Sequence, residues 1–248
     1  LLATLRTSPT SVAVQEAGLN SLRLLASGDA GNQAALADGG ALATTVAAMR
    51  RHPHSPAVQA AACALVRALA FYSAHRSALT ECGGITALVD ALTFAVDGGY
   101  GAGHALKALS NATFDSNANK AAVGRAGGIT AVLTVMRRSP ADADTQADCA
   151  RLLRNLADAV DYNRRLIVIG GGVEAARTAL EAHAGSEAVA EHGLALLVNL
   201  AANDAICRAL RSTPLAGLAQ AAGQAHRGSP AVVTQAGDLL RSLSGTAP

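Results

Sequence analysis

Gly83-Gly84-Ile85-Thr86-Ala87-Leu88-Val89 is answered, 44 residues later, by Gly127-Gly128-Ile129-Thr130-Ala131-Val132-Leu133. The same step leads back to Gly39-Gly40-Ala41-Leu42 and forward to Gly171-Gly172-Val173-Glu174-Ala175-Ala176. Four Gly pairs whose second members recur every 44 residues, each opening an apolar run, mark a chain of stacked units. A second landmark keeps step with the first. Leu25-Ala26, Leu69-Ala70, Leu156-Ala157, Leu200-Ala201 and Leu243-Ser244 each close a longer run, and Leu109-Ser110 takes that place in the third unit. Fourteen residues before the other five leucines lie Ser11, Ser55, Asp142, Ser186 and Ser229. These are helix N-cap types, whose side-chain oxygen accepts a free backbone N–H of the first turn. Pro56 and Pro230 follow at the first helical position, where a missing N–H costs nothing. The third unit has Ala95 at the cap and a shifted, shorter connection, Asp97-Gly98-Gly99.

One unit therefore reads as three helices. A short one ends at the Gly pair (Asn32 to Ala37), a middle one follows (Leu42 to Arg50) and a long one closes the unit (Pro56 to Ala70). In the long one Val58, Ala62, Leu65 and Leu69 recur at helical spacing. Glycine at the first junction permits a left-handed residue and a sharp reversal. Composition agrees with closely packed helices. The 248 residues are 50% hydrophobic but only 2% aromatic, with no Trp, so Ala, Leu and Val must fill the interior. No uncharged apolar run reaches membrane-spanning length. The net charge of +2 argues against non-specific nucleic-acid binding.

On these residues the chain resembles the armadillo repeat family. Gln59 to Ala70 looks like the family's third helix, His75 to Cys82 like the first and Ile85 to Phe94 like the second. Leu152-Leu153-Arg154-Asn155-Leu156-Ala157 and Leu196-Leu197-Val198-Asn199-Leu200-Ala201 carry its Asn-Leu-Ala ending. HEAT repeats share the period, but the short first helix with its Gly pair favours armadillo. The likeness covers the whole chain as one domain, 1–248: a partial repeat (1–27), then repeats near 29–71, 74–111, 118–158, 162–202 and 204–244. The last has Thr213-Pro214-Leu215 where the Gly pair would be. The resemblance implies an all-α, right-handed solenoid with third helices along a concave groove. A start in mid-repeat, without Met, suggests a piece of a longer protein.

The groove residues are read by register. The residue before Leu-Ala gives Leu24, Ala68, Ala108, Asn155, Asn199 and Ser242. The resemblance implies that Asn here holds a peptide backbone, since an amide both donates and accepts. Four residues earlier stand Asn20, Ala64, His104, Arg151, Ala195 and Asp238, where nuclear-import receptors of the family carry Trp. Without those rings a lysine-rich import signal has no aromatic wall, and such cargo is not expected. The position just before the Asn row reads Arg23, Arg67, Lys107, Arg154, Val198 and Arg241. Repeated once per stack step, it resembles the basic groove of the catenin-like branch, which takes extended acidic segments. Arg grips a carboxylate through two parallel hydrogen bonds. The opposing reading is that these cations are solvated or paired with Glu16, Asp148 or Asp158. Between Leu109 and Asn119 an apparent insertion carries Phe114, an exposed loop or an extra partner contact, and Asn111-Ala112-Thr113 in it is a chance sequon.

Chemistry is not encoded. The seven His are scattered, with His52-Pro53-His54 in a loop, and none forms a metal-binding helix motif. Gly170-Gly171-Gly172 falls in the glycine register, so it needs no phosphate. Cys63, Cys82, Cys149 and Cys207 are too far apart in sequence for a zinc knuckle or redox pair. No enzyme activity, cofactor, metal, nucleic acid or membrane insertion is expected. The expectation is a cytoplasmic protein-binding scaffold, nuclear or cytoskeletal association being open, with a purely structural spacer as the alternative.

Overall fold

A computed structural model describes residues 1–27, 29–98 and 102–245. They form helices joined by short turns, with no strand among the described residues. The partial repeat supplies α1 (Leu2–Thr7) and α2 (Val12–Ala26). Five three-helix repeats follow: α3 (Ala30–Asp38), α4 (Ala41–Arg51) and α5 (Pro56–Leu69); α6 (Ser73–Glu81), α7 (Gly84–Gly98) and α8 (Gly103–Thr113); α9 (Asn117–Arg125), α10 (Gly128–Arg138) and α11 (Ala143–Ala157); α12 (Asp161–Ile169), α13 (Gly172–Ala182) and α14 (Glu187–Ala201); α15 (Asp204–Leu210), α16 (Leu215–Ala225) and α17 (Pro230–Ser244).

The predicted caps hold. Ser11, Ser55, Asp142, Ser186 and Ser229 accept from the backbone N–H of Val14, Val58, Thr145, Val189 and Val232, closing the first turn of each long helix. Three of these helices also carry Gln four residues after the cap. Gln15, Gln59 and Gln146 donate to carbonyls ten and seven residues back, at 2.8 to 3.0 Å. Each side chain thereby satisfies the end of the preceding helix, whose last carbonyls lack partners within it.

Two compact units emerge, Leu1–Ala131 and Val132–Pro248, divided within α10. In the first, α5 lies between α2 and α8, while α4 contacts α1 and α7. In the second, α14 lies between α11 and α17, and α13 contacts α16. The interior is aliphatic, as the composition required. Leu22, Val66, Leu109, Leu153 and Leu197, one from each of α2, α5, α8, α11 and α14, are at most 1% exposed.

The glycine turns sit where expected but one register differs. Left-handed φ falls on Gly40, Gly83, Gly127 and Gly171, at 73° to 85°. Gly40 therefore matches the first, not the second, glycine of the later pairs, and the first interval is 43 residues. The second glycines are needed for space instead. A Cβ on Gly128 would lie 2.5 Å from Val123 Cγ1 and 3.1 Å from the Val123 carbonyl. At Gly83 the chain turns by 80° between α6 and α7. The last repeat departs as its sequence announced: α15 is only seven residues long, and Pro214 enters α16 without left-handed backbone.

The third unit corrects the sequence reading. α7 runs 15 residues where α4, α10, α13 and α16 run 11, and α8 has 11 where α11, α14 and α17 have 15. One turn has passed from the third helix to the second. Ala95 is no cap: it is buried inside α7, because Ala95 and Val96 continue the apolar face and nothing in Asp97-Gly98 stops the helix. Gly99 of that connection lies outside the described residues. Further on the register is regular. Asn119 donates to the Ala112 carbonyl and Asn163 to the Leu156 carbonyl, each seven residues back. Asp115 and Ala159, 44 apart, share positive φ. Ala112, not Leu109, is thus the equivalent of Leu156. The apparent insertion before Asn119 disappears into an α8 that continues through Thr113.

Gly128→Val should lower unfolding free energy by about 2–4 kcal/mol in urea titration, because branched atoms meet Val123 and backbone. Gly217→Ala, in α16 with nothing within 4 Å of its Cβ, should instead raise stability by about 0.5 kcal/mol. Equal effects would contradict the assigned close approach.

Candidate functional site

In the first unit the exposed sides of α2, α5 and α8 border an open cleft of ≈ 930 Å³. Its floor is Ala57, Ala60, Ala64 and Ala68 of α5, which leaves the helix face low. Arg23 of α2 and Arg67 of α5 line it with Glu16, Asn20, His104 and Asn111, and Phe71 and Tyr72 bound the α5 end. Neither Arg23 nor Arg67 has an ion-pair partner among the described residues. The His104 imidazole records their field: partial burial, then Lys107, Arg67 and Arg23, push its pKa below the usual histidine value.

The corrected register of α8 moves two predicted residues. Asn111 Nδ2 donates to the Arg67 carbonyl at 2.9 Å, and Asn199 Nδ2 to the Arg154 carbonyl at 2.9 Å. Asn111 is therefore the Asn-row member of the third unit, in place of Ala108. The basic row becomes Arg23, Arg67, Ser110, Arg154, Val198 and Arg241, with Ser110 buried. Lys107 belongs to the row of Arg151, and His104 to that of Asp148 and His192. The extra turn of α7 is the cause, since it delays the start of α8. In both bonded cases the row's amide also has a structural task. One N–H of Asn111 and of Asn199 is given to a third-helix carbonyl one repeat earlier, so a ligand meets only the rest of the amide.

The second unit treats its cations differently. Arg154 Nη1 lies 3.4 Å from Glu191 Oε1 and 3.5 Å from His192 Nδ1. Arg151 pairs with Asp148 at 3.8 Å, and Arg241 pairs with Asp238. Asn155 and Asn199 are half-buried beside them. Burial first, then the Arg154 charge, lowers the His192 pKa, with Glu191 acting in the opposite sense. Arg154 thus pairs with Glu191 from the next repeat, an acid outside the three named from the sequence.

Among the described residues no group of three His, Cys, Asp or Glu converges as metal ligands, and no single helix is long and apolar enough to cross a membrane. The four cysteines are free thiols; burial pushes Cys63 up to about 12 and Cys149 higher still. Three histidines that the sequence left scattered prove to be repeat-to-repeat ties. His52, His183 and His226 place Nε2 at 2.8, 2.8 and 2.9 Å from the carbonyls of Pro9, Pro140 and Ala184. Each stands three residues before a Ser cap, a regularity that was available in the sequence.

No family model and no curated protein matches the chain. Solved structures do. An engineered protein superposes with TM-score 0.83 at 22% identity, over 98% of this chain and 95% of its own. The designed armadillo repeat protein YIII(Dq)4CqI gives 0.81 at 17% identity over 98% of each chain. A related design, YIII(Dq.V1)4CPAF, solved in complex with the peptide (KR)4, gives 0.81 at 17% over 98% and 97%. This chain has an armadillo repeat fold. Within it, the predicted third helices are α2, α5, α8, α11, α14 and α17, and every predicted site residue lies on one of them.

Asn111→Ala should cost about 1 kcal/mol in urea unfolding by leaving the Arg67 carbonyl without its donor. His192 gives a pH prediction. Its folded pKa lies below its unfolded value, so the unfolded chain binds the extra proton first as pH falls. Stability should be complete above the unfolded pKa and decline through about pH 6.5 and below. His192→Gln should flatten the change in urea midpoint between pH 7.5 and 5.5; an unchanged slope would contradict the assignment.

Proposed function

We propose that the chain is a non-catalytic, cytoplasmic protein-binding scaffold that receives an extended acidic segment of a partner along its third-helix face. The cleft of the first unit is the receptor. The observation that carries this reading is the pair Arg23 and Arg67, side by side on stacked helices, facing an open cleft without an ion-pair partner among the described residues. Two guanidinium groups so placed offer bidentate donors to carboxylates. Stacked helices lie about 8–10 Å apart and an extended chain advances about 3.3 Å per residue, so acids about two to three positions apart reach both. The alanine floor admits the ligand main chain close to α5, and Asn111 offers its remaining amide groups. The complex of a structurally similar designed protein with (KR)4 supports a peptide as the class of ligand; the charge here calls for the opposite sign.

Arg154, Arg151 and Arg241 enter this reading as internal partners of Glu191, Asp148 and Asp238. That observation favours a second role for the later repeats, as a spacer holding the first unit within a larger assembly. Lys107 adds positive charge near His104.

Fluorescence anisotropy with a labelled Glu-containing peptide tests the assignment. Arg23→Glu with Arg67→Glu should weaken binding about ten- to a hundredfold, and added salt should reduce the difference. Arg154→Glu with Arg241→Glu should change affinity less than about twofold. Equal losses in the two pairs, or none, would remove the first-unit cleft as the receptor.

A further inference from the structure

The cleft joins its charge to an uncovered ring pair. Phe71 is 72% and Tyr72 40% exposed, and their rings meet edge to face at 5.5 Å between centroids. Both line the cleft together with Arg23 and Arg67. An aromatic side chain left in water normally gains by finding a cover, and rings that stay open at a charged cleft fit a partner's own apolar group. The backbone beneath them is fixed. Buried Arg76 donates to the carbonyls of Ala70 at 3.3 Å and Phe71 at 3.1 Å, and the Tyr72 N–H reaches the Leu69 carbonyl at 3.2 Å. The rings thus stand on a preorganised turn, so covering them costs little ordering.

We infer that the segment bound here carries, beside its acidic residues, one bulky apolar or aromatic side chain that seats on the Phe71–Tyr72 pair. Acid at Arg23 and Arg67 sets position and on-rate. The seated side chain supplies the discrimination among acidic segments that charge alone cannot give. This inference rests on the acidic-segment reading above, and it adds the residue that distinguishes a true partner from any acidic chain.

Short fluorescein-labelled peptides with two Glu three positions apart, and a single Trp scanned through the flanking positions, provide the test on the full chain. At one Trp position affinity should exceed that of the Ala analogue about tenfold. Phe71→Ala should bring that ratio to about one, and Phe71→Leu should restore part of it. Phe71→Ala leaves the thermal midpoint unchanged, since the ring is exposed. Acid-dependent binding that is lost in Arg67→Glu but indifferent to Trp everywhere would overturn the seat while sparing the basic cleft. No binding of any peptide, or preference for a single-stranded oligonucleotide, would overturn both.

Discussion

Within each compact unit the third helices lean on one another, α5 on α2 and α8 in the first and α14 on α11 and α17 in the second, and that contact governs the rest of the unit. A helix of 11 to 15 residues cannot bury a face alone. It gains stability only when its leucines pack against an equivalent row, so each register position must do the same job in each repeat. The polar ties obey the same rule. His52 to Pro9, Asn111 to Arg67, His183 to Pro140 and Asn199 to Arg154 all join residues 43 to 45 apart. Each such bond is worth about 1 kcal/mol, less than the buried leucines, but each is directional and fixes the register that the apolar contact leaves loose.

The same constraint decides where function can reside. Positions that face the neighbouring repeats are consumed by packing. Only the outward rows of the third helices are free to vary, and there the two units diverge. The first leaves Arg23, Arg67 and the Phe71–Tyr72 rings facing an alanine-floored cleft. The second spends Arg154 on Glu191 and Arg241 on Asp238. Arginine in the row therefore does not by itself make a basic surface; an acid on the same helix, as Asp238 for Arg241, or on the next repeat, as Glu191 for Arg154, determines what a ligand would meet.

Much of this was legible in the chain. Ser and Asp caps at fixed distance from Leu, and Gly pairs at one interval, are local signals with local causes, and all of those caps close their helices. The displaced turn between α7 and α8 was not legible, because the apolar run through Ala95 and Val96 suits either a longer second helix or an early third one. Tertiary stacking settles which, and with it the places of Lys107, His104 and Asn111. The pairing of Arg154 with Glu191 is likewise a relation across repeats, 37 residues apart, that no single helix announces. The histidine ties were open to reading through their constant place before the Ser caps. Their signal is a fixed place in the repeat, not the short spacing of metal ligands.

Excision of one whole period tests the dependence on neighbour stacking most directly. Removing residues 159–202 joins Asp158 to Asn203, as Ala202 is joined to it now, and takes out α12, α13 and α14 together. Circular dichroism should then show unchanged helicity per residue and a cooperative urea transition with a smaller slope, in proportion to the surface lost. Removing only 181–202 should abolish cooperativity, because it strips α14 from the helices that cover it. Collapse of both variants alike would mean that the chain is held by one shared core rather than by its neighbours.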